Sequence, residues 1–447
     1  MTKNNFNFII AWQIFNCCFF YPAAAQREVG YWQGMVTHQE KHWEIAVDIN
    51  RQADTLQAMV NFLDLAARDV PFSITLYGGE VHLERPQPNG KAIVFKGFID
   101  NGTMEGKFTG VGVVEAPFLF RKSTPSPSYV KEDMEITNDS VTLSGTLITP
   151  AAKGKYPLVI FIHGGSPDLR RVYYGPAIGF VQNGFAVLIY DKRGVGQSKR
   201  GHWQTDGIKA LASDAVAWVQ HVKKHGSVDK NNITVYGHSE GGWTAPMAAM
   251  MCKDIKNIII SGASAVSASE QTKYSRKKVM EHEGFNDSII NAAIDLWDQI
   301  YVSSRLCYSD TVAAVQLKSI IQKKINTVHD EAWFSPAALP YIYSTDCPSK
   351  GFLDLLYSDP LQVWSKINQP VLGVWGREDI VVPVDTSVTL IKNTLARSGN
   401  KNFTSRVLPG LDHSGNVIAN TDQWDFPRSS KDFFQVMVSW LAGQNKT

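Results

Sequence analysis

The sequence predicts an α/β protein, a doubly wound and mostly parallel sheet preceded by a smaller all-β domain. Three observations carry this reading. Pro157 to Ile162 and Phe185 to Tyr190 are near-continuous apolar runs, as expected of central strands covered on both faces. Helical patterns such as Gly207 to Lys223 alternate with these strands, which implies helices on either side of a parallel sheet. Before residue 123 the pattern changes to short period-two segments separated by turn signals.

The chain has 447 residues, 44% of them hydrophobic and 19% charged, which suits two or three domains with real cores. Its net charge is +2, and a nucleic-acid partner is not expected without a concentrated basic face. The one compact basic run, Arg276-Lys277-Lys278, reads as a solvated helix face.

In chain order, residues 1–25 read as a signal peptide. Lys3 is followed by a mostly apolar stretch from Phe8 to Tyr21, and Ala23-Ala24-Ala25 supplies the small residues of a cleavage site before Gln26. The expectation is an exported protein, periplasmic or extracellular. The apolar stretch is too short for a comfortable span, so no membrane span is expected after cleavage. Cleavage leaves Cys252, Cys307 and Cys347. Either Cys307 and Cys347 form one bridge, or all three are unpaired and buried. No C-x-x-C is present and nothing resembles a zinc ligand set, so no metal is expected.

Residues 26–122 form the predicted β-domain, a small antiparallel barrel or sandwich. Trp43 to Ile49, Ala92 to Phe98 and Gly110 to Val114 alternate, and Gly78-Gly79, Pro88-Asn89-Gly90 and Asp100-Asn101-Gly102 mark turns. Asp100-Asn101-Gly102 before Met104 to Phe108 is a strong hairpin signal. Residues 123–130, with Ser123-Thr124-Pro125-Ser126-Pro127-Ser128, read as a linker. Residues 131–447 hold the larger domain, starting with a half-buried strand at Val141 to Leu147. The strand–helix alternation lapses over about 265–365. Helical stretches at Asp287 to Leu306 and Thr311 to Lys324, with aromatic-rich loops near Trp333 and Tyr341, suggest a cap inserted over a site. Val371 to Trp375 resumes the sheet.

The chemistry centres on Gly237-His238-Ser239-Glu240-Gly241. It lies between a strand-like run, Asn232 to Tyr236, and a helix start, Gly242 to Met250. A strand, a sharp turn and a helix lift the Ser239 hydroxyl clear of the backbone, and the glycines leave room for the turn. A serine hydroxyl needs a base to take its proton and an acid to orient that base. Asp379 follows the strand-like run that ends at Trp375, and His413 follows Thr404 to Leu408. The order Ser239, Asp379, His413 is the one expected for this topology. Rivals for the acid are Glu378, Asp385 and Asp412. Oxyanion donors are expected from the amides of Gly165, in His163-Gly164-Gly165-Ser166, and of Glu240. His163 is expected to support that loop through hydrogen bonds. His238 and Glu240 flank the nucleophile, with Arg193 as a possible ion-pair partner for Glu240.

From about Lys131 onward the chain resembles the α/β-hydrolases. The matching pieces are His163-Gly164-Gly165, Tyr190 to Ser198, Gly237 to Gly242, Gly376-Arg377-Glu378-Asp379 and Asp412-His413. More narrowly, it is similar to exported bacterial esterases and to prolyl-oligopeptidase and serine-aminopeptidase-like hydrolases. The resemblance implies an eight-stranded sheet, a cap after the sixth strand and no cofactor. It implies that Asp191 to Ser198 supports the site without taking part in the chemistry. The expected activity is hydrolysis of a small-molecule ester through an acyl-enzyme. The alternative is cleavage of a short peptide by the same triad, with Glu270, Glu281 or Glu283 holding a free amino terminus. A binding protein on an inert fold would show a damaged triad, and this one is intact. Trp333, Phe334, Tyr341 and Tyr343 read as cap core or as pocket walls.

Overall fold

A computed structural model describes residues 28–444 except 39–40, 53–54, 64–66, 87–91, 111–112, 125–128, 329–330, 332, 335–346 and 419–429. The expected signal peptide, the Pro88-Asn89-Gly90 turn, the core of the linker, and Tyr341 and Tyr343 lie outside the described residues.

Eight antiparallel strands close into a barrel: β1 (Gly30–His38), β2 (Lys41–Gln52), β3 (Thr55–Phe62), β4 (Ala67–Tyr77), β5 (Glu80–Pro86), β6 (Ala92–Asp100), β7 (Thr103–Gly110) and β8 (Val113–Ser123). Each pairs with its sequence neighbour, and β1 also pairs with β8 to complete the ring. Alternation sends Ile45, Val47 and Ile49 inward. Trp32, Phe62, Phe95, Phe108 and Phe120 are fully buried with them, and the Phe95 ring sits 4.7 Å from Phe108 and 5.5 Å from Phe118. The interior is therefore packed with side chains. The β6–β7 turn holds Asn101 and Gly102 at φ 45° and 76°, as a two-residue hairpin turn requires.

The second sheet contains β9 (Tyr129–Asn138), β10 (Val141–Pro150), β11 (Tyr156–Ile162), β12 (Ala186–Tyr190), β13 (Val228–His238), β14 (Ile255–Ser261), β15 (Val371–Gly376) and β16 (Phe403–Leu408). Their spatial order is β16-β15-β14-β13-β11-β12-β10-β9. The strands from β12 to β16 run parallel, while β9 and β10 pair antiparallel at one edge. The apolar runs are continuous because both faces are covered. On β11, Leu158, Ile160 and Ile162 face the core formed with α2 (Gly207–Val222), α3 (Gly241–Met251) and α9 (Val384–Arg397). Val159 and Phe161 face the opposite core, against α1 (Tyr174–Gln182) and α10 (Lys431–Gln444).

Between β14, the sixth strand of this sheet, and β15 lie α4 (Ala268–His282), α5 (Asp287–Leu306), α6 (Thr311–Val328), α7 (Lys350–Tyr357) and α8 (Leu361–Trp364). Trp333 and Phe334 pack against the buried residues shared by α5, α6 and α7. The basic run on α4 is partly neutralised, with Glu281 2.8 Å from Lys278 and 3.9 Å from Lys277. Cys307, at the end of α5, forms a disulfide with Cys347, 40 residues on, and Cys252 is free and buried. A cross-link closing a loop of that length removes roughly 3–4 kcal/mol of chain entropy from the unfolded state. Cys307→Ala should accordingly lower the melting temperature of the helical insertion, and reductant should reproduce the loss in the wild type. Equal melting of oxidised and reduced protein would show that the link adds nothing.

Candidate active site

The elements of the site converge at the carboxyl ends of the parallel strands. Strand β13 ends at His238, and α3 starts at Gly241. Ser239 in the turn has φ +54°, a left-handed conformation that side-chain-bearing residues rarely adopt. Sustaining it requires very close backbone approaches. A Cβ on Gly237 would lie 2.0 Å from the Gly241 carbonyl oxygen, and one on Gly241 would lie 2.5 Å from that of Ile162. The Ser239 amide donates to Ser261 O at 2.9 Å, which pins the turn to the end of β14.

Asp379 and His413, 34 residues apart, meet. His413 Nδ1 donates to Asp379 Oδ2 at 2.7 Å, and the Asp379 side chain is fully buried. Asp379 Oδ1 accepts the amides of Val381 and Val382 at 2.7 and 2.9 Å. These bonds hold the carboxylate aimed at the ring. With Nδ1 protonated, the lone pair of His413 is on Nε2. The rival acids are engaged elsewhere. Glu378 accepts the Leu411 amide at 3.1 Å, Asp385 pairs with Arg377 at 2.7 Å, and Asp412 accepts the Ser414 amide at 2.9 Å. The rings of His238, beside Ser239, and His413 lie 5.1 Å apart. Among the described residues no hydrogen bond joins the Ser239 hydroxyl to His413. Such contacts commonly lengthen without substrate and tighten when it binds.

The loop after β11 faces the elbow, with a Cβ on Gly164 falling 3.5 Å from the Ser239 Cβ. The Gly164 amide donates to the Tyr173 hydroxyl at 3.2 Å. The amides of Gly165 and Glu240 have no hydrogen-bond partner among the described residues. These are the two amides that the sequence nominates as oxyanion donors. His163 Nε2 donates to Tyr190 O at 2.5 Å, so this ring anchors the loop to β12.

Two ion pairs lie behind these loops, and one corrects the expectation for Arg193. Glu240 pairs with Lys192, whose ammonium is 2.6 Å from Glu240 Oε1 and 2.6 Å from Gly164 O. Arg193 turns to the other side and binds both oxygens of Asp214, at 2.7 and 2.8 Å, and Asp206 at 2.7 Å. Burial pushes the Glu240 carboxyl above the usual range, and the neighbouring ammonium opposes that shift. The role of Lys192 was missed from the sequence. The only available signal was a lysine two residues past a central strand.

Burial pushes His163 and His238 down to about 3, with Lys192 adding to the effect at His163 and His413 at His238. The unfolded chain, with histidine near 6.5, therefore binds more protons than the folded one between these values. Stability is complete above about pH 6.5 and falls toward pH 3, by up to about 1.4 kcal/mol per pH unit for each ring. The urea midpoint should drop between pH 7 and 4, with a shallower slope in His163→Gln. A midpoint constant over that window would reject two neutral buried rings.

Comparison with known proteins agrees with this architecture. Residues 155–307 match the model of the serine aminopeptidase S33 family, a match that runs through the loop after β11, the elbow and the start of the insertion. The larger domain has the α/β-hydrolase fold. The chain is 24% identical to the esterase EstD of Thermotoga maritima, over 69% of this chain and 66% of that protein. It is 27% identical to the quorum-quenching protein AidA of Acinetobacter baumannii, over 25% of this chain and 36% of that one. The chain thus spans between about a third and two thirds of the length of these curated relatives. A solved esterase of Pyrococcus furiosus superposes with a TM-score of 0.44 at 19% identity, covering 72% of this chain and 94% of that one.

Proposed function

We propose that the protein is an exported serine hydrolase that cleaves carboxylic esters through an acyl-enzyme. The observation that carries this reading is the pairing of a strained Ser239 elbow with a buried Asp379–His413 bond of 2.7 Å. His413 Nε2 takes the Ser239 proton as the hydroxyl oxygen attacks the ester carbonyl. The carbonyl electrons move to oxygen, and the amides of Gly165 and Glu240 stabilise that charge, at roughly 3–4 kcal/mol per donor. The tetrahedral species collapses, and His413 returns the proton to the departing alcohol. Water then attacks the acyl-enzyme by the same route, releasing the acid and Ser239. Asp379 holds the tautomer and offsets the imidazolium charge.

The surroundings favour esters over peptides with free amino termini. Glu270 closes a capping box with Ser267 and lines a cavity of about 560 Å³ that includes none of Ser239, Asp379 and His413. Glu281 is tied to two lysines, and Glu283 is exposed. The esterase alignment extends over 69% of this chain. Export is supported by the Cys307–Cys347 disulfide, a bond typical of oxidising compartments. No described helix is long and apolar enough to cross a membrane.

The test is a paired panel of nitrophenyl esters of rising acyl length beside aminoacyl and prolyl nitroanilides. Ester hydrolysis with a length optimum is the expected result. Dominant cleavage of the anilides would move the assignment to the peptidases suggested by the S33 family description.

A further inference from the structure

We infer that Lys192 is the positioning residue of the oxyanion hole, holding in register the two peptide units that carry its donors. The inference rests on the assignment of the Gly165 and Glu240 amides as those donors. Strand β11 lies between β12 and β13 in the sheet, so the loops that follow these three strands meet at one end of it. Lys192 follows β12, Gly164 follows β11 and Glu240 follows β13. The buried ammonium bridges all three, 2.6 Å from Gly164 O and 2.6 Å from Glu240 Oε1, with Ser166 O at 3.5 Å. The Trp203 ring covers it at 4.2 Å, which favours a cation at this spot.

The Gly164 carbonyl and the Gly165 N–H belong to one trans peptide, in which they point in opposite directions. Drawing the carbonyl toward Lys192 therefore turns the N–H away from it. The Gly164 amide, in the preceding peptide unit, is held by the Tyr173 hydroxyl, so Gly164 is tethered through both of its peptide groups. A Cβ on Gly165 would lie 3.7 Å from Glu240 Oε2, so the Glu240 carboxylate lies against the same loop. An unpaired carboxylate there would oppose a developing oxyanion, and Lys192 supplies the compensating charge.

Removal of the ammonium should be felt when charge reaches the carbonyl oxygen, and much less when substrate binds. In Lys192→Met we expect kcat to fall about 100-fold, the loss typical of one oxyanion donor, with KM changed by no more than about twofold. Phosphonylation of Ser239 by a fluorophosphonate should slow by a similar factor, because its tetrahedral oxygen occupies the same position. A purely structural ion pair gives a different result in Lys192→Met/Glu240→Met. Replacing both buried charges by apolar side chains is often neutral or stabilising, and the two backbone amides remain. The double variant should melt near the wild-type temperature and stay slow. A folded double variant with kcat within about twofold of wild type would overturn the inference. If Lys192→Met alone does not fold, the double variant decides. Failure of the underlying reading looks different, with wild type left unlabelled by the fluorophosphonate and Ser239→Ala still active. That result would remove the inference along with its premise.

Discussion

Ser239→Ala is expected to lower ester turnover by about 10⁶-fold, the scale seen when a serine nucleophile is removed from a complete triad. The loss should come with little change in melting temperature, because the side chain is small and the elbow is held by backbone contacts. The elbow makes a second expectation specific to this site. Alanine keeps a Cβ and therefore keeps the steric cost of φ +54°, whereas glycine does not. Ser239→Gly should be equally inactive but more stable than Ser239→Ala by about 1 kcal/mol. Turnover of a nitrophenyl ester and thermal unfolding of the three proteins check both points. Near-normal turnover in either variant would end the proposed mechanism. Equal stability of the two variants would show that the turn is not strained.

A second large effect is expected on stability, at Asp214. Its carboxylate is almost completely buried on α2, where it takes a bidentate contact from Arg193 and a hydrogen bond from Asn138 at 2.7 Å. Asp214→Ala leaves a guanidinium with 8% side-chain exposure and, among the described residues, only Asp206 and the Ala210 carbonyl as partners. Breaking a buried pair in this way costs about 3 kcal/mol or more, because the remaining charge can neither reach water nor lose its proton. Urea unfolding should show the loss. Activity should fall too, since Lys192 is the residue before Arg193. A change below about 1 kcal/mol would mean that Asp206 and the backbone suffice.

Much of the fold was legible because both periodicities are strong. Continuous apolar runs at Leu158 to Ile162 and Ala186 to Tyr190 have no other use than a sheet covered on both faces. The elbow was legible because its glycines answer to a backbone geometry that almost no other residue permits. Asp379 and His413 could be nominated from their places after strands, and the structure brings their side chains into contact. The partners of Lys192 and Arg193 could not be read in this way. They are adjacent in sequence yet point to opposite sides of the loop, and Glu240 is 48 residues from its lysine. Reach across the ends of β11, β12 and β13 depends on strand order, which local pattern does not encode. The disulfide was left open for the same reason, since pairing depends on a Cα separation of 5.7 Å that exists only after the helices have packed.

The barrel seam bears on how the chain is made. Tyr31 pairs with Ser123, so the polypeptide leaves the barrel beside the point where it enters. During synthesis this seam cannot form until residue 123 has emerged from the ribosome, and none of the larger sheet has emerged by then. The two cores therefore mature one after the other, and the nascent barrel has no half-built neighbour with which to misassemble. Once closed, it offers no free strand edge to other nascent chains. The next strand, β9, begins at Tyr129 and lies at the edge of its own sheet. Among the described residues no strand pairing joins the barrel to the larger sheet, so each sheet completes its hydrogen bonding without the other.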